Sequence, residues 1–360
     1  MGSSRGCRDL DERVVEAAVA APVGGPPAEG NSGPLRIVFG VMLRTLVAVL
    51  FLLASSSAVA QPLADHHQHL LSPELAALIS GTPPARPIPP ITAADLIRHL
   101  DDAGIKRAAV LSTAYIFGQP TRKVENERQK LMADNDWTAA QVAQYPGRLV
   151  GLCGISPLKD YALEELTRCA KNPNLRNGLK LHLGNAVVDY HNPAHVEQMR
   201  RVFRAANGYG MPIVVHMRAS TTAKLPYGRD EAAIFFNEIL PAAPDVDVQI
   251  AHLAGAGGYE VPAGDQALQV FVDAIARKDP RAQRLWFDVT TVVFPKTPAE
   301  LAALIAQRIR ELGVQRILFG SDAPTAEAFL PKAAWAAFRT LPLTEAELQT
   351  IAGNVPPYMR

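Results

Sequence analysis

Two histidines one residue apart, His67 and His69, stand at the end of a short apolar run in Asp65-His66-His67-Gln68-His69-Leu70. In an extended strand alternate side chains point to the same face, so both imidazoles can reach one metal ion. Three later apolar runs end in residues able to join them: Val214-Val215-His216, Ile250-Ala251-His252 and Phe319-Gly320-Ser321-Asp322. Lys180 and His182 share a face of a further run by the same period of two. Taken singly, a strand-end histidine is ordinarily a satisfied core or loop residue, and Asp322 could cap a helix. Their co-occurrence at the ends of separate strands changes the reading, because a parallel barrel builds metal sites that way. Imidazole and carboxylate suit Zn²⁺ best, with Mn²⁺ or Fe²⁺ as alternatives, in one or two copies.

Such ligands need strands to carry them. From residue 61 onward, short apolar runs alternate with amphipathic stretches, the signature of βα units and a parallel sheet. Strands are predicted near 63–69, 107–113, 149–156, 178–183, 212–217, 247–253, 285–291 and 316–321. Helices are predicted near 92–103, 125–144, 160–171, 193–208, 229–240, 266–278 and 298–312, then 331–339 and 344–352. Thr92-Ala93-Ala94-Asp95 reads as a capped helix start and Gly104 as a stop. Eight such units match a (β/α)₈ TIM barrel with the metal site at the C-terminal ends of the strands. A doubly wound sheet is the alternative, but no Gly-x-Gly-x-x-Gly follows the first strand. The proline-rich stretch 81–90 reads as a loop over the barrel mouth, and Ala254-Gly255-Ala256-Gly257-Gly258 as a mobile or ligand-contacting loop.

Composition narrows the function classes. The 360 residues are 48% hydrophobic and 20% charged, with a net charge of +1, which gives no electrostatic footprint for nucleic acid. The three cysteines, Cys7, Cys153 and Cys169, lack the Cys-x-x-Cys spacing of a zinc ribbon, and Cys153 and Cys169 read as two buried thiols rather than a bond. Arg44, the apolar run 45–53 and Ser55-Ser56-Ser57-Ala58-Val59-Ala60 form a charged region, a hydrophobic region and an A-x-A cleavage site. The domain reading is therefore a disordered or mis-annotated extension over 1–41, a signal peptide over 42–60, and a barrel domain over 61–360. Export to the periplasm or medium follows from cleavage after Ala60; membrane contact follows only if the segment stays uncleaved. The apolar run is short against the roughly 20 residues a membrane span needs.

The chain resembles the amidohydrolase superfamily, and within it amidohydrolase family 2. The matching pieces are Asp65-His66-His67-Gln68-His69, residues 101–110, Gly178-Leu179-Lys180-Leu181-His182, Val215-His216, Ala251-His252, Gly320-Ser321-Asp322 and the closing Ile351-Ala352-Gly353-Asn354. Pro356-Pro357 departs from the helical continuation usual there. The resemblance implies that His67, His69, His216 and Asp322 hold a catalytic metal. In binuclear members the strand-four lysine, here Lys180, is carbamylated and bridges two ions, and His252 binds the second. In mononuclear members His252 is free to polarise or protonate the substrate.

The chemistry expected of this set is hydrolysis of an amide, ester or lactone of a small substrate. A divalent ion lowers the pKa of water toward about 7. Asp322 could accept a proton and pass it to the leaving group, while His252 polarises the carbonyl. Arg218, two residues beyond His216, could grip a substrate carboxylate with both guanidinium nitrogens. His182 and Tyr115 are expected to contact substrate, with Tyr190, His191 and Tyr227 as pocket walls. A metal-dependent decarboxylase of an aromatic or semialdehyde acid is the alternative, and a non-catalytic binding barrel a second one. Export and Lys180 both lean toward hydrolysis. The sequence leaves the substrate and the oligomeric state open.

Overall fold

The computed structural model describes residues 59–81 and 87–359. The extension over 1–41, the signal segment as far as residue 58, and residues 82–86 of the proline-rich loop lie outside them. Eight strands form one parallel sheet in sequence order. They are β1 Ala64–Gln68, β2 Arg107–Leu111, β3 Leu149–Gly154, β4 Leu179–His182, β5 Ile213–His216, β6 Val248–Ile250, β7 Leu285–Asp288 and β8 Ile317–Leu318. The ends of the sheet meet: His66 N donates to Phe319 O at 2.9 Å and Asp322 N to His67 O at 2.8 Å. The architecture is the expected (β/α)₈ barrel.

Among the described residues ten α-helices accompany the strands: α1 Pro73–Ser80, α2 Ala93–Asp102, α3 Glu127–Val142, α4 Ala162–Lys171, α5 Pro193–Gly208, α6 Arg229–Ile234, α7 Ala263–Ala276, α8 Ala299–Leu312, α9 Pro331–Phe338 and α10 Glu345–Gly353. Local chemistry starts several of them. Thr92 with Asp95, and Thr344 with Glu347, form capping boxes, while Asn192 caps α5 with Pro193 in its first turn. Helix α1 was not foreseen, although Ser72 accepts from Leu75 N and Pro73 opens the helix. The helix expected over 229–240 stops at Ile234 and gives way to a π-turn over Phe235–Ile239. That turn lets two successive phenylalanines bury together, Phe235 edge-on to Phe203 and both against Phe271.

The main core fills the space between helices and sheet. A second cluster fills the barrel interior: Ala64, Ala109, Leu111, Leu152 and Val214, with Met359 inserted from the C-terminal tail. Gly320 is required by close approach, since a Cβ there would lie 2.2 Å from Thr290 Oγ1 and 2.7 Å from His67 Cβ. The cysteine reading is corrected: Cys153 and Cys169 form a disulfide, because α4 packs back on β3 and brings their Cα atoms to 6.0 Å. Sequence spacing carries no record of that return.

The bond ties positions 16 residues apart, so its loss releases loop entropy worth about 3 kcal/mol. Cys169→Ala is expected to lower stability in urea by roughly 2–4 kcal/mol. Unfolded, unreduced protein comprising residues 61–360 should show no thiol toward a chromogenic disulfide reagent; two thiols per chain would refute the bond.

Candidate metal centre

The strands deliver the histidines as their period predicts. His182 and His216 are paired in register across β4 and β5, and Lys180 lies two residues below His182 on the same face. His67, His69, Lys180, His216 and His252 are all buried. His67 Nε2 lies 3.2 Å from His69 Nε2 and 3.0 Å from Lys180 Nζ. His67, His252 and Asp322 offer ligand atoms within 4.8 Å of one another. His69 Nε2 is 3.7 Å from Asp322 Oδ1. The His216 ring stands 4.9 Å from that of His252.

Two of these residues are not on strand tips in the expected sense. β6 ends at Ile250, and His252 sits in the turn Ala251–Ala254 with φ of 54°. β8 ends at Leu318, and Asp322 has φ of 77°. Left-handed backbone at non-glycine residues costs about 1–3 kcal/mol and gathers at functional sites. Here it turns a histidine and an aspartate back over the barrel axis.

Hydrogen bonds fix the tautomers. His67 Nδ1 lies 3.0 Å from Asp288 Oδ2, His69 Nδ1 2.6 Å from Leu111 O, and His252 Nδ1 2.9 Å from Thr290 O. A carbonyl only accepts, and a carboxylate only accepts when ionised, so all three Nδ1 atoms carry the proton. Asp288 stays ionised because His67 and His252, with their hydrogen bonds, outweigh its burial and hold its carboxyl far below the usual range. Burial pushes His67 down to about 4 and His69 to about 3, so both rings are neutral. Their Nε2 atoms therefore face each other as lone pairs at 3.2 Å. No proton is available between them. Lys180 Nζ, 3.0 Å from His67 Nε2, can donate to that lone pair, and the same convergence of donors suits a divalent metal.

Lys180 is held down to about 8, chiefly by burial, against the pull of Asp322 and Asp288. No carboxylate forms an ion pair with it among the described residues. Burial raises the Asp322 carboxyl, but His67, His69 and His252 outweigh it and keep the group ionised. His182 has the opposite tautomer to the ligand histidines. Its Nδ1 accepts from Asn185 N at 3.0 Å, leaving Nε2 as a donor. It stacks on His216 at 3.8 Å and meets the Tyr115 ring at 5.3 Å, so both expected substrate contacts line the cluster.

Arg218, expected to grip a substrate carboxylate, has partners within the protein. Its Nε donates to Glu260 Oε2 at 2.9 Å and its Nη1 to Ala219 O at 3.1 Å, while the guanidinium rests 4.8 Å over the Tyr227 ring. Two of its three guanidinium nitrogens are thus engaged inside the protein. Tyr190 and Tyr227 donate their hydroxyls to Met217 O and Ala254 O, which makes them braces of the loops. His191 pairs with Glu231 at 2.7 Å and is half-exposed. Asp288 went unrecognised as a functional residue, although Leu285-Trp286-Phe287-Asp288 is also an apolar run ending in a ligand-type residue. The expected strand ran past it to 291 and hid the tip.

Barrel, convergent donors and engaged tautomers together make a candidate metal site at one end of a (β/α)₈ barrel. The family model described as Amidohydrolase (Amidohydro_2) matches residues 64–354, and the chain belongs to that family of enzymes. A sequence search of curated proteins finds no match. Among solved structures, a probable 2-pyrone-4,6-dicarboxylic acid hydrolase from Acinetobacter baumannii is 19% identical with TM-score 0.51, over 81% of this chain and 96% of that one. The 5-carboxyvanillate decarboxylase LigW from Sphingomonas paucimobilis is 16% identical with TM-score 0.55, over 81% and 96%. A 5-carboxyvanillate decarboxylase from Novosphingobium aromaticivorans with bound manganese is 14% identical with TM-score 0.53, over 83% and 97%. At these identities the likeness is one of fold.

Metal added to metal-free protein should raise its melting temperature, by the equivalent of about 4 kcal/mol when the free ion exceeds its Kd a thousandfold. His67→Ala should abolish the rise. An equal rise in that variant would place the ion elsewhere.

Proposed function

We propose that this enzyme is a metal-dependent hydrolase that cleaves an amide, ester or lactone of a small, acidic substrate. The observation that carries the reading is Lys180, a buried lysine 3.0 Å from His67 Nε2 with no carboxylate partner among the described residues. A buried ammonium lacking an anion is costly. The same lysine as a neutral amine can add carbon dioxide and release a proton, and the anionic carbamate would suit a second divalent ion. His67, His69, His216 and Asp322 would hold one ion, and Lys180 and His252 would complete the second position. Zn²⁺ suits the donors, and Mn²⁺ is the ion bound in one decarboxylase of the same fold.

A divalent ion supplies acidified water and a Lewis acid for a carbonyl. The side chains do the rest. Asp322, held ionised, accepts the proton of the attacking water and returns it to the leaving atom. His182 Nε2–H donates to a substrate oxygen, and Tyr115 closes the pocket beside it. Burial of the histidines keeps bulk water from competing.

Decarboxylation is the second reading, favoured by the two decarboxylase structures that share this fold. It requires one ion and a free His252. We further propose that the chain is exported, which the Cys153–Cys169 bond supports, since such bonds persist in oxidising compartments. Cleavage after Ala60 would leave Gln61 as the first residue, so N-terminal sequencing of protein recovered outside the cytoplasm should begin there. A start further upstream would argue for an uncut anchor.

The amine of Lys180 is protonated below about pH 8 and free above it. Loading with metal and bicarbonate should therefore give more ion per chain at pH 8.5 than at pH 6.5, approaching two. Lys180→Ala should hold roughly one ion and lose hydrolysis of lactone and ester substrates by a factor of about 10³ or more. One ion at every pH, with carbon dioxide released from aromatic acids, would replace the hydrolase with the decarboxylase.

A further inference from the structure

Below the metal cluster a line of polar side chains runs down the barrel interior to the C-terminal tail. Asp288 Oδ2 accepts from His67 Nδ1 at 3.0 Å and from Gln249 Nε2 at 2.7 Å. Asp288 Oδ1 accepts from His252 N at 2.8 Å and Thr290 N at 3.2 Å. The same carboxylate thus orients two of the proposed ligands at once. Gln249 presents its amide oxygen to the Tyr358 hydroxyl, which donates to it. Its amide points Nε2 at Asp288 and, at 3.3 Å, at His66 O, because a flipped amide would set its oxygen against two acceptors. His67, Gln249 and Asp288 are fully buried, so water cannot substitute for any of these contacts.

Tyr358 is held in place from several sides. Asn354 Nδ2 donates to Val314 O and Ile317 O, both at 2.7 Å, pinning the end of α10 beside β8. Arg107 Nη1 donates to Met359 O at 3.0 Å, and Met359 packs on Ala64, Ala109, Leu111, Leu152 and Val214. Pro356 and Pro357 stop the helix, so the chain turns under the barrel. The tail is the floor of the interior.

We propose that Tyr358 is a positioning residue for the metal centre, acting through Gln249 and Asp288 to fix the His67 ring and its tautomer. The proposal rests on the metal-site reading above. Outer-shell partners of metal histidines ordinarily change metal affinity by about 10- to 100-fold. The terminal link should be weaker than the direct one. Expected are a metal Kd raised about tenfold by Asp288→Asn and about threefold by Tyr358→Phe, measured by chelator competition. The double variant should bind no more weakly than Asp288→Asn alone, because the hydroxyl acts only through the carboxylate. A tail that merely plugs the barrel would lower the melting temperature of metal-free protein and leave metal affinity unchanged. Wild-type affinity in Tyr358→Phe, or losses that add in the double variant, would overturn the proposal. If the wild type binds no metal, the metal reading fails, and nitrogen-15 shifts of His67 still decide this inference. A shift toward mixed tautomers in Tyr358→Phe supports it; an unchanged Nδ1–H ring overturns it.

Discussion

Imidazole lone pairs brought together in a buried cluster at the barrel mouth are the constraint on which this structure turns. His67 and His69 are neutral, both protonated at Nδ1, and face each other through Nε2 at 3.2 Å. Left alone, such a pair would rotate apart or take up a proton. Burial opposes the proton, and the hydrogen bonds to Asp288 and Leu111 oppose the rotation. What remains is a preformed donor set, met on one side by Lys180 Nζ, that suits a divalent cation. The left-handed backbone at His252 and Asp322 belongs to the same arrangement, because ordinary strand geometry would carry those side chains away from the axis.

The barrel divides its labour along the axis. Its upper end holds histidines, Lys180 and Asp322, while small and aliphatic residues with Met359 fill the lower end. This follows the general pattern of chemistry at the C-terminal face and stability beneath it. Asp288 and Gln249 lie between the two and belong to both. Buried polar groups of this kind are tolerable because every strong acceptor is met: both Asp288 oxygens receive two donors each.

Most of the barrel and much of its cluster were legible because period-two strands and ligand residues coincide. Val214 and His216, or Lys180 and His182, need no partner information to be placed on one face. What escaped the sequence depends on pairings distant along the chain. The Cys153–Cys169 bond needs α4 to fold back on β3, and the occupied fork of Arg218 needs Glu260, 42 residues away. Asp288 was visible as a strand-end acid but not as a functional residue, since only the meeting of β7 with β1 shows what it holds. Helix α1 had its own signal in Ser72-Pro73, hidden by attention to the prolines that follow.

Lys180 decides more than one thing. As an ammonium it would sit among neutral histidines with Asp322 and Asp288 as the nearby anions, both already engaged elsewhere. With one divalent ion added, the pocket would carry excess positive charge. As a carbamate facing two divalent ions, the pocket would be net positive as well. Charge balance therefore does not choose between hydrolysis and decarboxylation, but in either case it favours an anionic substrate. The Arg218 guanidinium, already paired to Glu260, has its own charge largely offset within the protein.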